Sequence, residues 1–415
     1  MKIDNSIYYT FAISKSSFIF LFLIVHFSTI QKVYSQDGNQ TVQKLSDMGF
    51  ENLNWVENEE ERTYLLECIS YRLSGVAIGK AIDQIQEMGL PRNKRCRLIV
   101  LDNNVPQISL YCQSISDSTH VVRREDWTVT YELGSNWSKI KSQKRENSSL
   151  YKVDVLVYPE FNFQNYRLSR VYDILFNLCP AVEVSLWHGM KFTGQVIIPI
   201  VNDYGARYEQ VRPGFVTLSQ SFRLPQRTFL TSSVGFFNNF RWGVDARAKH
   251  FFKDERFSLE GRIGYTGRGY FENWAYYHGK KWLLTGNFGG NFYWTKYNTQ
   301  LSLKGERYLE GEYGARFDMI RHFRYASVGF YAMKVQHAGN RGFNGGFRFQ
   351  IALPPYKYKR KGHIPRVMTS KNFGISYNAG NERVYGKGYK SQASDNMMQD
   401  NSFNPYFIKS ELLNY

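Results

Sequence analysis

Eleven charged side chains recur at alternate positions along the second half of this chain: Arg241, Asp245, Arg247, Lys249, Glu260, Arg262, Lys304, Glu306, Arg316, Asp318 and Arg348. Carboxylates interleaved with cations on one face can do three things. They can act as acid and base, hold a charged polymer, or neutralise one another. Hydrolysis by a carboxylate pair needs one acid and one base set apart by their surroundings, and this spacing singles out neither. No GxSxG elbow, HExxH helix, phosphate-binding P-loop or GxGxxG nucleotide turn occurs. The histidines after residue 36, His120, His188, His250, His278, His322, His337 and His363, are scattered without metal spacing. We therefore expect no catalytic residue, no metal and no cofactor. Most of the eleven charges read as a salt-bridge network filling a narrow interior. The sharper alternative is an interior that handles a hydrophilic, anionic chain, with these residues facing the polymer.

Four cysteines remain in the mature part: Cys68, Cys96, Cys112 and Cys179. Cys96 and Cys112 flank a hairpin and can face each other, so a disulfide between them and a pair of buried thiols are both open.

Charges at every second position require strands, because successive strand side chains point to opposite faces. From about residue 150 a period of two takes over. Thirteen segments fit it: 172–178, 182–187, 194–200, 215–224, 229–237, 240–249, 257–265, 282–293, 299–306, 313–319, 325–335, 343–351 and 372–378. Between the charges lie apolar residues, as in Trp242, Val244, Ala246 and Ala248, or Phe343, Phe347, Phe349 and Ile351. Many segments run 9 to 12 residues, the tilted span of a bilayer, and aromatics cluster at their ends, as in Phe251-Phe252, Tyr276-Tyr277 and Tyr293-Trp294. A soluble sandwich also alternates, but with shorter strands. We expect a mainly β protein: a transmembrane antiparallel β-barrel of about 12 strands over residues 149–390, since closed bacterial barrels have an even count.

The first half differs. Residues 36–148 read as a small periplasmic α+β module, with a helix at 73–88 ended by Gly89 and Pro91. A shorter helix is expected at 41–48, extended segments at 52–56 and 64–71, and strands 97–101 and 107–113 about a turn at Asp102-Asn103-Asn104. Residues 141–149 read as a polar linker. Residues 391–415 form a polar C-terminal segment, of which 391–404 is expected to be mobile, and no final strand is evident at 407–415. The basic, aromatic loop after Leu353-Pro354-Pro355 reads as a solvated turn or a phosphate or sugar-acid contact.

Residues 1–35 have the layout of a signal peptide: Lys2 and Lys15, the apolar run from Phe18 to Val25, then Val33-Tyr34-Ser35, with cleavage expected between Ser35 and Gln36. Composition agrees with export of a strand-rich chain. Aromatics are 17% of 415 residues, and the formal charge is +17. The mean hydropathy of −0.45 does not speak against a barrel, which shows lipid only every second residue. Outer-membrane lipid, an anionic polysaccharide and other secretion proteins are the expected partners, and nucleic acid is not, because the targeting signal removes the chain from the cytoplasm.

The order of module, polar linker and aromatic-rich barrel resembles the YjbH-type outer-membrane proteins of exopolysaccharide biosynthesis. The residues carrying the resemblance are 215–224 with Leu224-Pro225, then Asn344-Gly345-Gly346-Phe347 running to Leu353-Pro354-Pro355, and Lys371-Asn372-Phe373-Gly374-Ile375-Ser376-Tyr377. It implies a non-enzymatic outer-membrane component that assists production or export of a polysaccharide, and it assigns no catalytic residue. A porin-like solute channel is the alternative, and an outer-membrane hydrolase a third reading.

Overall fold

The computed structural model describes residues 38–113, 122–164, 172–337, 340–353, 358–379 and 386–413. The expected signal peptide with its expected cleavage between Ser35 and Gln36, the Pro354-Pro355 pair and Tyr415 lie outside them.

The N-terminal module opens with helix α1 (Gly38–Asp47) and the hairpin β1 (Glu51–Glu57) and β2 (Glu61–Glu67). Helix α2 (Ser74–Glu87) then crosses over to β3 (Arg95–Asp102), which lies parallel to β2. A helical crossover is the usual way two parallel neighbours are joined. Ala77, Ile78, Ala81, Ile82 and Ile85 recur at helical spacing and are all fully buried on the sheet. Gly89, at φ 98°, takes the left-handed turn that ends the helix. Strand β4 (Val105–Gln113) returns through a two-residue turn in which Asn103 and Asn104 are both left-handed (φ 47° and 64°). Strand β5 (Thr128–Thr130) completes a five-stranded sheet, and helix α3 (Trp137–Ile140) buries Ile140 against it. The expected linker at 141–149 is instead pinned to the module. Glu146 bonds to Leu53 through both backbone groups, and Asn52 holds Ser149 through its side chain.

The remainder is a fourteen-stranded sheet. Twelve strands follow one another as an antiparallel meander: β6 (Val153–Gln164), β7 (Asp173–Trp187), β8 (Met190–Asn202), β9 (Arg212–Leu224), β10 (Thr228–Phe237), β11 (Arg241–Phe251), β12 (Phe257–Glu272), β13 (Ala275–Trp294), β14 (Thr299–Arg307), β15 (Tyr313–His322), β16 (Ala326–His337) and β17 (Asn340–Ala352). Two short strands complete it. β18 (Arg366–Thr369) pairs in parallel with β6, and β19 (Asn372–Asn378) pairs antiparallel with β17. One chain segment, 366–378, is thus hydrogen-bonded to both outer strands of the meander. Phe163 of β6 and Tyr377 of β19 also stack at 5.9 Å.

Three expectations about strands need correction. Segments 172–178 and 182–187 are the single strand β7, interrupted in sequence by Pro180. There Cys179 and Pro180 keep their partners on β6 but leave the ladder with β8, as a residue without an N–H must on one side. Strand β6 was not foreseen, because Val153, Val155, Leu156, Val157 and Tyr158 form a nearly continuous apolar run ending at Pro159, without alternation. Residue Phe240 is a left-handed turn residue (φ 55°), and β11 starts at Arg241.

The two parts bury opposite kinds of residue. The module has an ordinary apolar core. In the large sheet the apolar face looks outward: Val244 is 51% exposed beside Asp245 at 3%, and Leu303 is 64% exposed beside Ser302 at 2%. Aromatic side chains lie exposed at both ends of the strands, Trp187, Trp294 and Tyr325 at one end and Tyr172, Trp274 and Tyr313 at the other.

The C-terminal segment expected to be mobile is held in place. Residues 386–404 lie against the polar face of the large sheet, and the last described element is helix α4 (Pro405–Leu413), not a strand. Ile408 and Leu412 of α4 are buried in the module's core. Its Glu411 accepts the backbone N–H of Gly75 at 3.0 Å, where any Cβ on Gly75 would meet the Glu411 side chain. Low apolar content misled the expectation, because these residues are ordered by hydrogen bonds and ion pairs to the sheet rather than by a core of their own.

Candidate functional site

The polar face of the large sheet lines one internal space of about 1480 Å³, and every strand from β6 to β19 contributes a residue to it. The period-two pattern of each strand sends its charged residues there. Ten of the eleven charged candidates line the space, and the eleventh, Asp245, lies covered beneath Tyr389, whose hydroxyl donates to Asp245 Oδ2 at 2.7 Å.

Their pairing is mostly local. Arg262 Nε donates to Asp245 Oδ2 at 2.8 Å, Lys304 pairs with Glu260, and Arg316 grips Asp318 at 2.8 and 2.9 Å, with Arg348 3.4 Å from Oδ1 of the same carboxylate. Of these contacts only Arg262 with Asp245 joins directly neighbouring strands, diagonally across the ladder; Lys304 with Glu260 and Arg348 with Asp318 each reach over one intervening strand, and Arg316 with Asp318 lies within β15. Lys249 has its Nζ 5.2 Å from the Phe251 ring centre, within the field of Glu260. Arg241 donates to the Leu309 carbonyl at 2.9 Å.

Arg247 finds its partners in the C-terminal segment: Asp395 at 2.9 Å and Asp400 at 3.5 Å. The same segment offers the Tyr389 carbonyl to Arg262 at 3.0 Å, and the N–H of Met398 to Gln350 at 3.0 Å. At one end of the strands Leu309 N donates to the Lys387 carbonyl, and Asn239 donates to the Gly388 carbonyl at 2.6 Å. At the other end Asn298 bonds Ser410 at 2.9 Å. The segment therefore runs the length of the interior. Tyr389, Asp395 and Asp400 were missed in sequence. Their only signal is charge complementary to Arg247, and complementarity without periodicity names no partner.

The module is fastened to the same sheet by buried arginines. Arg360 Nε sits 3.0 Å from Glu51 Oε1 of β1 and its NH2 2.6 Å from Asp154 of β6. Arg366 holds both oxygens of Asp154 at 2.8 and 2.9 Å. Arg72 of the module donates to the Ser370 carbonyl at 2.5 Å. The basic residues after Pro355 were expected in a solvated turn or a phosphate contact. Arg360 does neither, because its charge is buried and paired with two carboxylates. Tyr131 of the module stacks on Phe251 of β11 at 4.1 Å, and Arg223 of β9 donates to the Gln107 carbonyl at 2.6 Å.

Cys96 and Cys112 stand directly opposite in the β3–β4 register, as their flanking positions implied, and all four cysteines are buried free thiols. Burial pushes the Cys112 thiol up to about 12 and the Cys96 thiol well above its ordinary range, so neither is a ready nucleophile.

Two histidines touch hydroxyls: His322 Nδ1 lies 2.8 Å from Ser327 Oγ, and His250 Nδ1 lies 2.8 Å from Thr228 Oγ1. Ser327 is fully buried and His322 is sealed beneath Tyr293 and Phe407, so the first pair does not reach solvent.

Comparison of the chain with family models, curated proteins and solved structures finds no match.

Proposed function

We propose that this chain is a bacterial outer-membrane β-barrel that assists production or export of an exopolysaccharide without itself being an enzyme, with its N-terminal module in the periplasm. The observation that carries the reading is the inversion of burial in the large sheet. Apolar side chains such as Val244, Leu303, Phe288 and Phe330 are exposed on one face while Asp245, Ser302, Asn291 and Asp318 are buried on the other. Water would penalise so extensive an apolar surface, and lipid would not.

Lipid also forbids unpaired strand edges, so a spanning sheet must be closed. The hydrogen bonds of 366–378 to both β6 and β17, and the internal space bordered by every strand, support closure through that segment. Exposed tryptophans and tyrosines at the two strand ends match the interfacial belts of such proteins. The unforeseen strand β6 brings the meander to twelve long strands, and 366–378 supplies the segment that would close it.

For polysaccharide, support comes from the polar interior, the positive net charge and the resemblance to YjbH-type proteins. The C-terminal segment occupying the interior argues for a filled barrel. The remaining 1480 Å³ of space favours a second reading, a narrow solute channel.

Deleting the gene and measuring surface polysaccharide tests the main reading, and unchanged polysaccharide would sink it. Heat-modifiable gel mobility and membrane fractionation test the barrel; recovery only in the soluble fraction would overturn it. Single-channel conductance separates the filled barrel, which should show none at rest, from the channel.

A further inference from the structure

The interior charges fall into two zones. Along the middle of the strands, cations meet carboxylates: Arg262 with Asp245, Lys304 with Glu260, Arg316 and Arg348 with Asp318, Arg247 with Asp395 and Asp400. At the end away from the module this balance fails. Four arginines gather there: Arg207 from the β8–β9 loop, Arg212, Arg241 and Arg268. The C-terminal segment adds Lys387 and Lys390, and all six line the internal space. Among the described residues none of the six makes an ion pair within 4.0 Å. Glu160 and Glu310 act on Arg212 and Arg241 only from beyond that distance.

Two features make the imbalance costly unless an anion relieves it. Arg241 and Arg268 are directly opposite each other in the β11–β12 register, where like charges repel. Arg241 and Arg212 are each only 6% exposed, so water screens them poorly. Their hydrogen bonds go to carbonyls, Arg241 to Leu309 and Arg212 to Tyr208 and Gln210 at 3.2 Å, which orient the guanidinium groups without neutralising them.

The walls of this end are aromatic. Phe240 and Tyr208 line it, with Arg207 5.7 Å from the Phe240 ring centre and Arg212 5.3 Å from that of Tyr208. Guanidinium forks match carboxylates in two-pronged hydrogen bonds, while flat rings offer a surface for the C–H faces of a sugar. We propose that this arginine-rich mouth is a binding site for an acidic oligosaccharide whose sugars carry carboxylates. The proposal rests on the barrel reading above and names the ligand class for it. A lipid phosphate is the weaker fit, because these side chains border the internal space and not the outward apolar face. A single inorganic anion would meet the arginines but make no use of the rings.

The test uses the full mature chain in detergent micelles, titrated with tetragalacturonate, maltotetraose and sodium sulfate by calorimetry. The expected result is saturable binding of tetragalacturonate that weakens as salt is raised, with no matching binding of maltotetraose and much weaker binding of sulfate. Arg241→Gln with Arg268→Gln should weaken tetragalacturonate at least tenfold. Arg268→Gln alone, at an exposed position that leaves folding intact, should weaken it severalfold, with heat-modifiable mobility unchanged in both. Equal binding of maltotetraose, equal binding of sulfate, or unchanged affinity in Arg268→Gln would overturn the site, as would no binding by the wild-type chain. If binding fails while gene deletion still lowers surface polysaccharide, only the site is wrong. If binding holds while deletion changes nothing, the site stands and the export reading falls.

Discussion

Replacing Leu303 by arginine asks directly what solvent the outer face of the large sheet meets. Leu303 lies in the middle of β14, is 64% exposed, and pairs across the ladder with Gly290 and Phe317, itself exposed. If that face meets water, the substitution touches nothing of consequence, and its cost stays within about 0.5 kcal/mol. If it meets hydrocarbon, arginine near the midplane of a barrel costs about 2–4 kcal/mol, falling to about 0–1 near the interface. The same change at Leu224, the last residue of β9 and 42% exposed, supplies the contrast, since a strand end belongs at the interface. The expected difference between the sites, about 2–3 kcal/mol, corresponds to a change of roughly 30- to 140-fold in the folded ratio. Urea titration of folding into phosphocholine vesicles, followed by tryptophan fluorescence, measures it. Equal costs at Leu303 and Leu224 would refute the membrane assignment, because a water-exposed sheet has no depth.

Removing residues 386–415 should open the interior, so conductance should appear where the full-length chain shows none; a closed truncated protein would mean that the segment is not the plug. Within that segment, Asp395→Asn leaves Arg247 with Asp400 alone at 3.5 Å, and brief channel openings should become more frequent in single-channel recordings. Leu412→Ala removes a buried side chain from the module's core and should cost about 2–5 kcal/mol, read as earlier protease cleavage within 38–148. The docking of α4 should also depend on pH. Burial pushes the Glu411 carboxyl up to about 7, against the opposing N–H of Gly75 and the charge of Arg324. The protonated form is therefore the one that folding favours. Its stabilisation is complete below about pH 4.5 and is lost as pH rises through 7, a change of at most about 3 kcal/mol. Urea midpoints of the module should fall between pH 5 and pH 8, and Glu411→Gln should flatten that dependence.

Alternation in a single strand is a local property, so it was legible in the residues. The positions of Arg241, Asp245, Arg247, Lys249, Glu260 and Arg262 on one face follow from the period of two, and the structure places them on the inner side together. The helix at 74–87 and the Asn103-Asn104 turn were legible for the same reason, since spacing and left-handed propensity act over a few residues. Strand β6 was not, because a continuous apolar run ending in Pro159 carries no period.

What no local pattern holds is partnership between distant segments. Asp395 and Asp400 belong to a polar stretch whose composition reads as disorder, yet they neutralise Arg247, 148 and 153 residues earlier. Arg360 looks like one cation in a basic run, until β1 and β6 bring Glu51 and Asp154 to it. The residue sequence by itself determined which side chains each strand turns to either face. Only the tertiary structure decided which charges meet, and so which are neutralised along the interior and which are left at its mouth, because an ion pair depends on separation in space, and chain order does not specify that separation.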